Sequence, residues 1–210
     1  MGHVALLGDS IFDNARYVPD RPPVIEQVRR ALPAGWQATL LATDGHMTGD
    51  VDHQLNALPE DASHLFVSCG GNDALGESPI LLEPAATVGD ALHLLHEVRT
   101  RFRTGYRQML AAVSAVAKPA AVCTIYDLIP RLEPAARTAL AIYNEVILHE
   151  AFLAGLAVID LRLVCNHPGD YSPLSPIEPS VVGGSKIARV IAEVATTHDF
   201  TQKRSVVYWY

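Results

Sequence analysis

The sequence predicts an α/β protein: a three-layer sandwich in which a doubly wound, mainly parallel five-stranded sheet lies between helices. Three observations carry this. Short apolar runs recur along the chain, starting at Val4 to Leu7, each brief and continuous as in strands buried on both faces. Longer stretches between them place apolar residues at helical spacing, the longest from about Val88 to Ala117. The runs stop at turn-forming clusters, Gly8-Asp9-Ser10 after the first and Cys69-Gly70-Gly71-Asn72-Asp73 after the third. Strand alternating with helix is the pattern of a parallel sheet.

Taken in order, the first strand ends at Ser10, and an irregular stretch, Ile11 to Arg21, follows. Pro22-Pro23 open a helix at about Val24 to Leu32, because proline is tolerated in a first turn; Gly35 closes it. Ala38 to Ala42 is the second strand. The turn formers from Thr43 to Asp50 lead into a helix from Val51 to Leu58. His64 to Ser68 is the third strand, and a long loop with Pro79 and Pro84 runs on to the longest helix, which Gly105 is expected to interrupt. Ala120 to Tyr126 is the fourth strand and Asp127 to Arg131 the loop after it. Pro134 to Leu153 is helical, with Gly155 suited to the left-handed cap. Leu156 to Asp160 is the fifth strand. Asn166 to Pro179 is irregular, and Val181 to Val194 is a last amphipathic helix. The segment from about 200 to 210 is a C-terminal tail, expected to pack against the body or to add an edge strand. There is no internal repeat, so residues 1–210 read as a single domain.

Composition narrows the function classes. At 210 residues the chain can bury one sizeable core, and 49% apolar residues argue against disorder. A net charge of −7 argues against a nucleic-acid partner, which calls for a basic face. Cys69, Cys123 and Cys165 are odd in number and lack C-x-x-C spacing, so buried free thiols are expected. With no signal peptide, they point to a reducing, cytoplasmic setting. No apolar run is long enough for membrane insertion. The aromatic tail admits a homodimer.

No cofactor is expected, because neither G-x-G-x-x-G nor a Walker A sequence is present. No metal is expected either: His93 and His96 lie three apart beside Glu97, yet H-L-L-H-E matches no zinc motif and a third ligand is missing. Serine-based acyl transfer fits better. That chemistry needs a nucleophile, a base within reach and donors aimed at the developing oxyanion. Ser10, Gly49 and Asn72 stand after the first, second and third strands, where parallel sheets place ligands. Loops leaving one edge of neighbouring strands can converge.

These blocks, Gly8-Asp9-Ser10, Gly49 and Gly71-Asn72-Asp73 in order, resemble the GDSL or SGNH hydrolase family. The resemblance implies a flavodoxin-like fold with strand order 2-1-3-4-5 and Ser10 as nucleophile. It also implies an oxyanion hole of the Ser10 and Gly49 N–H groups and the Asn72 side chain. The family's D-x-x-H-P block is altered. Here Ser175-Pro176-Ile177-Glu178-Pro179 precedes Gly183 and Lys186-Ile187-Ala188, so Glu178 falls at the base histidine and Ser175 at its aspartate. The paired change is coherent. A histidine needs a carboxylate to fix its tautomer, whereas a glutamate does not, and a second carboxylate would repel it. His167, followed by Pro168, is the only other histidine with a following proline nearby; Val164 stands where its aspartate would be. Asp9 is a further supporting candidate.

The expected function is a serine-dependent esterase or lipase-like hydrolase acting on a small acyl ester or acetylated sugar. A glutamate is a weak base for a hydroxyl unless burial raises its pKa. A catalytically impaired ligand-binding protein on the same fold and an acyltransferase are the competing readings.

Overall fold

A computed structural model of the chain describes residues 1–202 and 204–209. In order the elements are β1 (His3–Gly8), α1 (Val24–Ala31), β2 (Gln37–Leu40), α2 (Val51–Leu55), β3 (His64–Ser68) and α3 (Gly71–Gly76). There follow α4 (Val88–Ala115), β4 (Ala120–Cys123), α5 (Pro134–Ala154), β5 (Ala157–Ile159), α6 (Leu161–Val164), α7 (Val181–Thr197) and β6 (Val207–Tyr208). The strands form one parallel sheet in the order β2-β1-β3-β4-β5-β6.

Alternation along each strand divides the core. Val4, Leu6, Phe66, Ala121 and Ile159 face one side and pack against α1 and α7. Ala5, Leu7, Leu65, Val67 and Val122 face the other, toward residues of α4 and α5 such as Tyr106, Val113 and Ile147. Both faces are covered, which is why the strands read as continuous apolar runs. The three cysteines are buried and free. Among the described residues no helix is long and apolar enough to cross a membrane.

Four features depart from the sequence expectation. The sheet has six strands, not five. The open edge of β5 presents unpaired backbone groups, and the tail fills it: the Val158 N–H donates to Val206 O at 2.9 Å and the Asp160 N–H to Tyr208 O at 2.9 Å. Lys203 and Tyr210, at the ends of that tail segment, lie outside the described residues. Second, α4 runs 28 residues through Gly105 without a break. A Cβ at Gly105 would sit 3.3 Å from the Thr48 hydroxyl, so the glycine serves a close approach rather than a kink. Third, the stretch expected as a long loop after β3 is α3 followed by a 3-10 helix at Ser78–Leu82, with Pro79 in its first turn. Fourth, α6 follows β5 directly, capped by the Asp160 carboxylate, which accepts from the Arg162 N–H.

Candidate active site

The site forms at the carboxyl edge of the central strands, β1 and β3. Gly8 ends β1 at φ 120°, and a Cβ there would lie 1.8 Å from Ser68 O of β3. Only glycine permits that approach, and it is what lets the chain turn at once into Asp9-Ser10. The turn is closed by the Asp9 N–H donating to Ser68 O at 3.1 Å and by the Phe12 and Asp13 N–H groups donating to Asp9 O, both at 3.1 Å. Gln54 of α2 clamps it from below. Its Oε1 accepts from the Gly8 N–H at 2.7 Å and its Nε2 donates to Gly8 O at 2.8 Å. Nothing in the sequence pattern singles out this glutamine.

Ser10 and Asp9 are buried and line a pocket that also holds Ser68, Gly71 and Asn72. Its empty space, counting that open to solvent at the mouth, is about 1050 Å³. Beyond this polar end the wall is aliphatic and aromatic, with Leu95 and Val98 from α4 and Leu140 and Tyr143 from α5. Among the described residues no lysine, arginine or histidine lines it.

Asn72 sits in the first turn of α3. Its Nδ2 donates to His46 O at 2.9 Å, which ties the second-strand loop to the third. A carboxamide has two N–H donors, so one is left for a ligand. Asp73, next in the chain, accepts from the Thr48 N–H at 3.1 Å and the Thr48 hydroxyl at 2.7 Å. Asp73 therefore locks the turn that carries Gly49. Gly49 itself is exposed in a 3-10 turn, with no atom within 4 Å of the position a Cβ would take, and it does not line the pocket.

Glu178 arrives from the irregular segment before α7 and is 3% exposed. Burial is the main cause that pushes its carboxyl above the usual range; Asp44 adds to the rise, while the Ser175 and Ser10 hydroxyls hold it down by hydrogen bonding. Glu178 thus lies close to both the Ser10 and the Ser175 side chains. Its Oε2 is buried without a hydrogen-bond partner. Asp9 is raised further, to about 7, chiefly by burial and then by the nearby carboxylates Asp73 and Glu178, against a lowering hydrogen bond from the Ile11 N–H. Burial also raises Asp73, opposed by its bonds from Thr48.

The Glu178 segment is held by side chains distant in sequence. Asn14 Nδ2 donates to Pro179 O at 3.0 Å while its Oδ1 accepts from the Val24 N–H at 2.9 Å. The Tyr126 hydroxyl donates to Ile177 O at 2.7 Å and the Ser172 hydroxyl to Tyr17 O at 2.7 Å. At the C-terminal side the Ser180 hydroxyl caps α7, accepting from the Val182 and Gly183 N–H groups. A Cβ at Gly183 would lie 2.1 Å from Asp170 O, so that glycine admits the loop against the helix start.

His167 stands apart from this arrangement. It is exposed, its Nδ1 accepts from the Gly169 N–H at 3.0 Å within its own turn, and it does not line the pocket. His93 and His96 are exposed on α4. Among the described residues no group of three or more histidine, cysteine, aspartate or glutamate side chains is placed to hold a metal ion.

A buried serine at the edge of a parallel sheet, an amide donor from the loop after the neighbouring strand and a buried carboxylate thus stand together. The chain belongs to the GDSL-like lipase/acylhydrolase family, whose model matches residues 6–183. No curated protein sequence matches it. Among solved structures it is similar to an extracellular lipase from Streptomyces rimosus, at 19% identity and a TM-score of 0.69, over 93% of this chain and 100% of that one. It is also similar to an acetyl xylan esterase from Geobacillus stearothermophilus, at 16% identity and a TM-score of 0.63, over 92% and 93% of the two chains. A phospholipase A1 from Streptomyces albidoflavus matches at 19% identity and a TM-score of 0.58, over 88% and 94%. At these identities the likeness concerns the fold.

Proposed function

We propose that the protein is a serine-dependent carboxylic ester hydrolase in which a glutamate, Glu178, replaces histidine as the base. The observation that carries this reading is the buried Glu178 carboxylate beside Ser10, with Oε2 unpartnered. Ser10 Oγ attacks the ester carbonyl carbon as Glu178 takes its proton. The oxyanion is met by the Asn72 amide and the Ser10 N–H. As the intermediate collapses, Glu178 returns the proton to the departing alcohol. A water then repeats the sequence on the acyl-serine: Glu178 takes its proton, and Ser10 leaves with that proton as the acid is released.

The raised pKa of Glu178 brings it nearer to what a base at neutral pH needs. Ser175 steadies the carboxylate by a hydrogen bond without adding a second charge. Asp9, held by the Ile11 N–H, fixes the turn. Family membership supports acyl esters as substrates. The competing reading is a ligand-binding protein, and it rests on the lack of a histidine in the pocket.

The test is hydrolysis of 4-nitrophenyl esters together with labelling by a fluorophosphonate. Wild type should turn over ester and gain one adduct by intact mass. Ser10→Ala should take no label and lose at least about 10³-fold in rate. A wild type that neither labels nor hydrolyses any ester fits the binding-protein reading instead. Acyl products formed with added alcohols or amines separate transfer from hydrolysis.

A further inference from the structure

The pocket described above says more about its ligand than the reaction requires. An acetyl group needs little room, yet the apolar wall runs from Ser10 to the far side of α5. Along that helix the lining residues extend from Ala136 to Tyr143, about 10 Å at 1.5 Å per residue. That is the length of a medium aliphatic chain. Leu95 and Leu140 line the wall with large side chains, Ala136 and Ala139 with small ones. Polar groups gather at the end where Ser10 stands.

Charge at that polar end has one sign. Asp9 lines it, and Asp73 and Glu178 lie close enough to raise the pKa of Asp9. Glu77 also lines the pocket but is paired with Arg101 at 2.9 Å. Arg16 pairs with Asp44 at 3.7 Å and does not line the pocket. From Gly71 to Val98, the stretch that covers the pocket, the sequence has five carboxylates (Asp73, Glu77, Glu83, Asp90 and Glu97) and neither lysine nor arginine. None of the residues from Gly71 to Glu97 is buried, and Leu75, Leu82, Val88 and Leu92 are exposed there. An anionic alcohol part would meet repulsion from these carboxylates at the Ser10 end, where among the described residues no lysine, arginine or histidine lines the wall.

We propose that this site takes esters of medium-length aliphatic acids whose alcohol part carries no negative charge. The proposal rests on the hydrolase reading above and names its substrate class. The acyl chain lies between α4 and α5, and the alcohol leaves past the acidic mouth. Anionic esters such as phosphate- or sulfate-bearing lipids are excluded by charge.

The experiment uses the full chain and two substrate series. With 4-nitrophenyl acetate, butyrate, octanoate and palmitate, kcat/KM should climb by about fourfold per methylene while the chain still enters apolar wall, peak at octanoate and fall at palmitate. Ala139→Trp should lower the octanoate-to-acetate ratio at least tenfold. With matched octanoyl phenyl esters bearing a para trimethylammonium or a para sulfonate group, the cationic ester should react at least tenfold faster. Added salt should narrow that gap. A rate highest on acetate, or equal rates on the two charged esters, overturns the proposal while leaving the hydrolase reading in place. Binding of octanamide, an uncharged octanoyl probe, to Ser10→Ala, read by calorimetry, separates the two: absence of hydrolysis with octanamide bound refutes the hydrolase reading alone. Absence of both refutes both.

Discussion

The two halves of the site are built by different means. On the nucleophile side, Ser10 and Asn72 each stand within four residues of the end of a central strand, and their positions follow from the β1–β3 register, Gly8 opposite Ser68. On the base side, Glu178 lies in a segment with no regular element of its own between the 3-10 turn at Pro168–Asp170 and α7. That segment is placed by Asn14, Tyr126 and Ser172, whose bonds reach across 165, 51 and 155 residues of sequence. A sheet edge fixes a nucleophile once the fold forms. A loop-borne residue depends on individual side-chain tethers, so in the proposed assignment the residue type at position 178 can change without touching the sheet.

That contrast can be broken from either side. The largest effect on folding is expected for Gln54→Ala, which leaves the buried Gly8 N–H without the partner Gln54 supplies and Gly8 O with the Thr43 N–H but not the Gln54 amide. It should cost about 3 kcal/mol in chemical denaturation and lower activity together with stability. A variant as stable as wild type would show that the β1–β3 register alone holds the turn. Asn14→Ala should cost less, about 2 kcal/mol, since the Val24 N–H begins a helix and Pro179 O is a single acceptor. Its mark should be on the base side: kcat should fall while KM for an uncharged ester stays within about twofold, since the pocket wall is untouched. A KM that rises with kcat unchanged would contradict the division.

The smallest effect is a slope. Asp9 is raised from 3.8 to about 7 in the folded protein, mainly by burial, so the folded state binds more protons than the unfolded one between those values. The stability it contributes is whole below about 4 and is lost as the pH rises through about 7. Glu178, also raised, acts in the same direction. Melting temperature should therefore decline from pH 4 to pH 7, and Asp9→Asn should flatten the decline. An unchanged slope in that variant would assign the linkage elsewhere. Activity runs the opposite way, because the base works only when ionised.

The nucleophile side was largely legible in the sequence. Apolar runs ending in Gly8-Asp9-Ser10 and Gly71-Asn72-Asp73 report strand ends directly, since a strand buried on both faces allows little else. Glu178 was legible only through its register with Pro179 and Gly183, and Gly183 proves to be a close contact with Asp170 O. Gln54 and Asn14 were not legible, because a polar residue that satisfies backbone groups from a distant element leaves no periodic trace. Asp73 was part of a quoted motif, but its bond to Thr48 depends on how two loops meet. Gly105 misled for a related reason: a glycine inside a helical pattern is ambiguous until its neighbour across the interface, here Thr48, is known. The sixth strand was legible only as one option for the aromatic tail, because its two residues pair only where β5 leaves an edge open.

The central claim is that a carboxylate serves Ser10, and the pH dependence of kcat/KM tests it most directly. Wild type should rise with pH through one ionisation above the ordinary glutamate value of 4.5. Glu178→Gln should lose about 10²- to 10⁴-fold in rate and the limb with it, although Asp9 is still present, and His167→Ala should keep both rate and limb. A limb that survives in Glu178→Gln and disappears in His167→Ala would contradict the account.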